Sequence, residues 1–91
     1  MKKKEEVFIN IDLPVSGNCE VLEGKGRHYF KAVSKSKGDS SLLIKYLIIE
    51  LVRPKGKVLT EEMVDDMHIR DISYVSEVIG AMMSNDFLGG F

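Results

Sequence analysis

The sequence has few of the residues that carry out chemistry in proteins. Its 91 residues include one cysteine, two histidines and no tryptophan. A single cysteine excludes an internal disulfide and is typical of a reducing compartment. Because nucleophiles and general bases are so scarce, we expect a protein that is not an enzyme and that uses no cofactor and no metal.

Long apolar runs are also missing. The longest apolar-rich stretch, residues 42–52, has 11 residues and contains Lys45 and Glu50. A membrane-spanning helix needs about 20 apolar residues. The lysines near the N-terminus are followed by Glu5 and Glu6 rather than by a secretory apolar run. We therefore expect a cytoplasmic protein with no membrane association.

The chain lacks a strong charge of either sign, since its net charge is −1. Dedicated nucleic-acid binders usually carry a clear basic excess, so this balance argues against that class. The charges are nevertheless uneven, because residues 1–57 hold 12 of the 13 basic residues. Basic residues interleaved with Tyr29 and Phe30 lie in the segment 25–37. A small nucleic-acid-binding regulatory protein that uses this segment is therefore an alternative function.

Three strands are predicted in the first third of the chain. Ile9, Ile11 and Leu13 alternate with polar residues, which predicts a half-buried strand. Gly24 and Gly26 lie in a short polar segment that suits a hairpin loop with positive φ. The predicted strands, which form an N-terminal antiparallel meander, are 7–13, 19–22 and 28–33.

About three helices are predicted to follow the strands. After a polar linker at 34–38, Asp39 is an N-cap candidate for an apolar helix over 42–52. This helix is apolar nearly all round, so we expect part of it to face a partner subunit. Thr60 is predicted to cap a short helix, and Asp71 to cap the last one.

Together these elements predict an α+β fold. The length allows one domain, residues 1–91. The charged start (1–6) and the end (85–91) are predicted to be flexible.

One acid–histidine cluster in the second half invites a metal-binding interpretation. Asp65, Asp66, His68 and Asp71 offer the oxygen and imidazole ligands that divalent cations use. The simpler interpretation, which we prefer, is solvated helix ends with Asp71 as a cap. Cys19 has no cationic or histidine neighbour in sequence, so we do not expect a reactive thiol.

The second half also resembles a known family. The segments that carry the resemblance, in order after the apolar helix, are Arg53-Pro54-Lys55-Gly56, Leu59-Thr60-Glu61-Glu62-Met63-Val64-Asp65-Asp66-Met67 and Asp71-Ile72-Ser73-Tyr74-Val75. With an earlier Tyr29-Phe30-Lys31, this order resembles the tail assembly chaperones of contractile-tailed phages, the Mu-like and P2-like group. The resemblance covers roughly residues 7–84 and rests on order and pattern.

The resemblance implies a non-enzymatic phage or prophage protein that acts in virion morphogenesis. Chaperones of this family bind the tape-measure protein during tail assembly and are absent from the mature virion. The family has no catalytic residues to transfer. A homo-oligomer and a structural role as a tail component are further expectations that the sequence leaves open.

The methionines indicate where a protein partner would bind. Four of the five fall in the two C-terminal helices, and methionine-bearing surfaces adapt well to apolar partners. An exposed apolar helical stripe on a client could be covered by such a surface together with the apolar helix. The predicted protein-binding residues are Leu43, Leu47, Met63, Met67, Met82 and Met83.

Overall fold

Residues 6–84 are described by a computed structural model of the chain. Three strands and four helices follow one another along this part of the chain. In order they are β1 (Val7–Leu13), β2 (Gly17–Leu22), α1 (Gly26–Ser36), α2 (Ser40–Leu51), β3 (Val52–Pro54), α3 (Glu61–Asp65) and α4 (Ile69–Met83). The predicted flexible ends, 1–6 and 85–91, lie outside the described residues except for Glu6, which is exposed.

The predicted α+β class is confirmed, with one three-stranded antiparallel sheet in the order β1-β2-β3. The third strand, however, is Val52–Pro54, which follows α2 directly. Along β1, Ile11 and Leu13 are buried as predicted, but Ile9 is exposed. The pairing with β2 shifts register between Val7 and Ile9, and this irregularity breaks the simple alternation.

The segment predicted as the third strand lies within helix α1, so that prediction was wrong. His28, Ala32 and Ser36 are the buried side chains of this helix, at a helical spacing of four residues. Two of these three are polar, so the buried positions of α1 do not form the apolar stripe that is typical of a helix. Aromatic and β-branched residues such as Tyr29 and Val33 favour a strand by propensity. Tertiary packing overrides this strand propensity, and the segment forms a helix.

The two polar segments that flank α1 also differ from their predictions. Residues 34–36, part of the predicted linker, complete α1, and the turn into α2 is made by Lys37 and Gly38, with φ of 52° and 85°. The predicted hairpin loop connects β2 to α1 instead. Neither Gly24 nor Gly26 has a positive φ. Space is tight at Gly24 instead, since a Cβ there would lie 3.0 Å from Met82 Sδ and the methionine would have to shift.

The other predicted helices are confirmed, with small shifts at their ends. The Asp39 carboxylate accepts the Ser41 N–H at 2.9 Å, which starts α2 as expected. Thr60 Oγ1 accepts the Met63 N–H at 3.2 Å and starts α3. The last helix begins before Asp71, at Ile69.

Helix α2 lies at the centre of the fold. It packs against α1, α3, α4 and β3. Leu47, Ile48 and Leu51 are buried in the core that the sheet shares with α4, whose Val75 and Ile79 are fully buried. Neighbours within the chain therefore bury Leu47, Ile48 and Leu51, whereas Leu43, Ile44 and Ile49 are only partly buried, and a partner subunit that faces part of α2 stays a prediction.

A candidate protein-binding groove

An open apolar groove lies where the start of α1 and the last turn of α4 meet α2. Its volume is about 340 Å³. The floor is formed by Leu47 and Leu51 of α2. A concavity of this size, lined mainly by apolar side chains, accepts a few large side chains of a ligand. We call this site the α1–α4 groove.

Aromatic side chains form the α1 wall of the groove. Tyr29 and Phe30 pack edge to face, with ring centroids 5.7 Å apart and ring planes at 71°. Phe30 is 69% exposed although it is apolar. The Lys25 N–H donates to His28 Nδ1 at 2.9 Å, which fixes the beginning of the helix that carries these rings. The groove therefore presents a preformed aromatic edge to solvent.

Methionines form the α4 wall. Met82 is partly buried against the core, whereas Met83 is 51% exposed. Gly24 lies beneath Met82, so the absence of a side chain at residue 24 leaves room for the methionine and for the groove itself. Methionine has a flexible, polarisable side chain, and this wall can therefore adjust to the shape of an apolar ligand.

The charge at the groove is positive. Lys25 lines it, and the lining includes no acidic residue. On the adjoining face of α1, Arg27, Lys31 and Lys35 repeat every four residues and form a basic stripe. No acid occurs anywhere in residues 24–38. Lys31 Nζ lies 3.5 Å from the Glu50 carboxylate of α2, which offsets part of this charge.

A second cleft, also about 340 Å³, lies between α2, α3 and α4. Ile44, Met67 and Ile72 contribute apolar surface there. Its rim differs from that of the first groove, because Lys45 Nζ and the Asp65 carboxylate form an ion pair at 2.9 Å. The cleft thus has matched charges at its edge.

The six predicted protein-binding residues are divided among different places. Leu47, Met82 and Met83 come together in the α1–α4 groove. Met67 lines the second cleft. Leu43 is partly buried against the core, and Met63 is exposed but lines neither cavity.

Sequence reasoning missed the aromatic wall because α1 was interpreted as a strand. In the sequence, Tyr29 and Phe30 belong to the basic segment 25–37 and to the family resemblance, and neither was predicted to line a protein-binding surface. The exposed aromatic pair would have been found by testing residues 26–36 at helical spacing. That test places Tyr29, Phe30 and Val33 on one side of the helix and the basic stripe on another.

The acid–histidine cluster is not assembled as a unit. Asp71 is fully buried, and its two carboxylate oxygens accept the N–H groups of Val15 at 2.9 Å and Ser16 at 3.1 Å. His68 is the N-cap of α4 instead, and its Nδ1 accepts the Arg70 N–H. The prediction that Asp71 is the cap was therefore wrong. Within residues 6–84, no group of three or more His, Cys, Asp or Glu is placed to hold a metal ion.

Two buried groups have shifted pKa values. Burial alone would raise the pKa of Asp71, but the hydrogen bonds from Val15 and Ser16 outweigh it and leave that pKa below its ordinary value. Cys19 is fully buried, and desolvation raises the pKa of its thiol. A buried thiol with a raised pKa is a poor nucleophile.

No protein-family model, curated protein or solved structure matches the chain. In the described part of the chain, no helix combines the length and the apolar character that crossing a bilayer requires. What the geometry defines is a small α+β domain with an open, apolar and basic groove.

Proposed function

We propose that this protein is a phage or prophage tail assembly chaperone, which binds the tape-measure protein and covers its apolar helical surface during tail morphogenesis. The proposed activity is binding, without catalysis. The host cytoplasm is the proposed location, and the proposed chaperone leaves before the virion is complete. The client is proposed on the resemblance in residues 7–84, and the binding surface on the α1–α4 groove.

The observation that supports protein binding best is the exposed aromatic and methionine surface of the groove. Phe30 and Met83 are each more than half exposed, on opposite walls of one concavity. Exposed apolar patches that line a groove are typical of interaction sites. Helical clients commonly dock by placing an apolar stripe in such a groove.

Co-expression with a tape-measure fragment tests this function. The fragment should come from the same genome as this chain, so that the proposed natural pair is tested. We expect the full chain to keep an otherwise insoluble fragment in solution and to co-elute with it in gel filtration. A fragment that stays insoluble, or that elutes alone, would refute the proposed client.

Two matched variants test whether the client binds at the α1–α4 groove. Phe30→Ser should reduce co-elution, because it removes the most exposed ring of the groove. Val58→Ser is the control, since Val58 is 65% exposed and lies outside both cavities. Equal losses for the two variants would mean that the binding surface lies elsewhere.

Nucleic-acid binding is the second candidate function. The helix over residues 26–36 favours it more than a strand over 28–33 would. The basic stripe of α1 runs parallel to exposed aromatic side chains, which is an arrangement that could contact phosphates and bases. A gel-shift assay at low and moderate salt tests this function. Salt-sensitive binding of a short oligonucleotide would support it, and the absence of a shift at low salt would reject it.

A further inference from the structure

We infer that the occupant of the α1–α4 groove is an amphipathic helix from another protein, with an apolar stripe flanked by carboxylates. The inference rests on the proposed binding function and adds the chemistry of the bound segment. It follows from three properties of the groove: its shape, its apolar lining and its one-sided charge.

The shape favours side chains that enter from a helix lying across the groove. The volume, about 340 Å³, takes a few side chains rather than a whole polypeptide segment. Helices α1 and α4 form the two walls, and Leu47 and Leu51 of α2 lie between them. Apolar residues one turn apart on a helix would meet this floor together.

The positive charge at the groove indicates which residues flank the apolar stripe of the bound helix. Lys25 lines the groove itself, whereas Arg27 and Lys35 lie outside its lining, on the exposed basic stripe of α1. Among residues 6–84, neither Arg27 nor Lys35 takes part in an ion pair. Lys25 has only a solvent-exposed contact, at 3.8 Å, with Glu6. An acidic flank on the occupant would complement this charge, whereas a basic flank would be repelled.

The second cleft, between α2, α3 and α4, lacks uncompensated basic charge. Lys45, its basic residue, lies 2.9 Å from Asp65 and 3.9 Å from Glu61, so its charge is compensated within the chain. Charge complementarity therefore assigns the acidic, apolar helix to the α1–α4 groove and not to the cleft between α2, α3 and α4.

Two synthetic peptides test the inference with the full-length protein. Both are amphipathic helices with the same leucine stripe. One carries glutamates beside the stripe, and the other carries lysines at the same positions. We expect the glutamate peptide to bind about tenfold more tightly at moderate salt, a ratio that two or three exposed ion pairs can produce. The preference should shrink as salt rises.

Charge reversal on the protein completes the test. The double variant Lys25→Glu with Arg27→Glu should abolish or invert the peptide preference. Lys57→Glu is the control, because Lys57 is exposed and lies away from both cavities. Circular dichroism of each variant verifies that the fold is retained. An unchanged preference in a folded double variant would overturn the inference.

Other outcomes separate this inference from the proposed function. Equal affinity for both peptides would overturn the acidic flank while leaving a protein-binding role intact. Tight binding of the glutamate peptide by a protein that fails to solubilise the tape-measure fragment would support the inference and refute the proposed client.

Two further results would assign the groove to another occupant. Self-association that Phe30→Ser abolishes would assign the groove to a second copy of the chain. An oligonucleotide that binds more tightly than the glutamate peptide would assign the basic surface to nucleic acid. Either of these last two results would overturn the inference.

Discussion

The two ends of helix α4 meet the rest of the protein in different ways. In its first turn, Asp71 is buried and holds the β1–β2 turn through two backbone hydrogen bonds. In its last turn, Met82 and Met83 line an open groove. The first end has its polar groups satisfied inside the fold, whereas the second leaves apolar atoms exposed to solvent. Substitutions at the first end should change stability, and those at the second should change binding.

The largest effect is expected at Asp71. Asp71→Ala removes two hydrogen bonds to a charged acceptor and leaves the N–H groups of Val15 and Ser16 without it. We expect a loss of about 2–4 kcal/mol in the free energy of unfolding, measured by urea denaturation. The exposed Asp66 is the matched control, and Asp66→Ala should change stability far less. Similar losses in the two variants would contradict the anchoring role of Asp71.

The contribution of Asp71 should also depend on pH. Its pKa is lower in the folded protein than in the unfolded chain, because Val15 and Ser16 donate to the ionised form. The stability that it contributes is therefore fully present above the unfolded value of about 4. It is lost as pH falls through the lower folded pKa. The stability difference between wild type and Asp71→Asn should shrink as pH falls below the unfolded value and through the lower folded pKa, and a constant difference would contradict the assignment.

A smaller effect, on binding alone, is expected at Gly24. In Gly24→Ala the new Cβ would lie 3.0 Å from Met82 Sδ, so the flexible methionine must move. Because φ of Gly24 is not positive, alanine is tolerated by the backbone. We expect stability to change by less than about 1 kcal/mol and client affinity to fall a few-fold. Gly80→Ala, where the new Cβ meets open space, should leave client affinity unchanged.

The smallest effect is expected at the second cleft. Asp65→Ala breaks the exposed ion pair with Lys45, whose pKa the hydrogen bond to Asp65 raises. Exposed pairs of this kind contribute little to stability, and the urea midpoint should hardly move. Client binding should also be unchanged. A marked loss of binding in this variant would assign the client to the second cleft instead.

The elements marked by a regular alternation of apolar residues or by an N-cap residue could be predicted from the sequence. The alternation that ends at Leu13 gave β1, and the caps at Asp39 and Thr60 located α2 and α3. Helix α1 was missed because its buried face includes His28 and Ser36, so its helical period appears in the basic stripe and the aromatic side chains rather than in a buried apolar stripe. The order of the elements gave the α+β class even though one strand was misplaced.

The candidate site could be predicted only in part. Methionine content directed attention to the end of α4, where Met82 and Met83 both line the groove, and their role in binding a protein stays a prediction. The aromatic wall depended on recognising α1 and was missed. The role of Asp71 depends on residues 55 and 56 positions away in sequence, and no local pattern encodes such a contact.

The most direct test of the account measures binding and stability together in one variant. Phe30→Ser with Met83→Ser removes the most exposed apolar side chain from each wall of the α1–α4 groove. We expect affinity for the tape-measure fragment to fall by tenfold or more, on the order seen when anchor residues of an interface are lost. The free energy of unfolding should stay within about 0.5 kcal/mol of wild type. Undiminished affinity in this folded variant would contradict the assignment of the groove as the binding site.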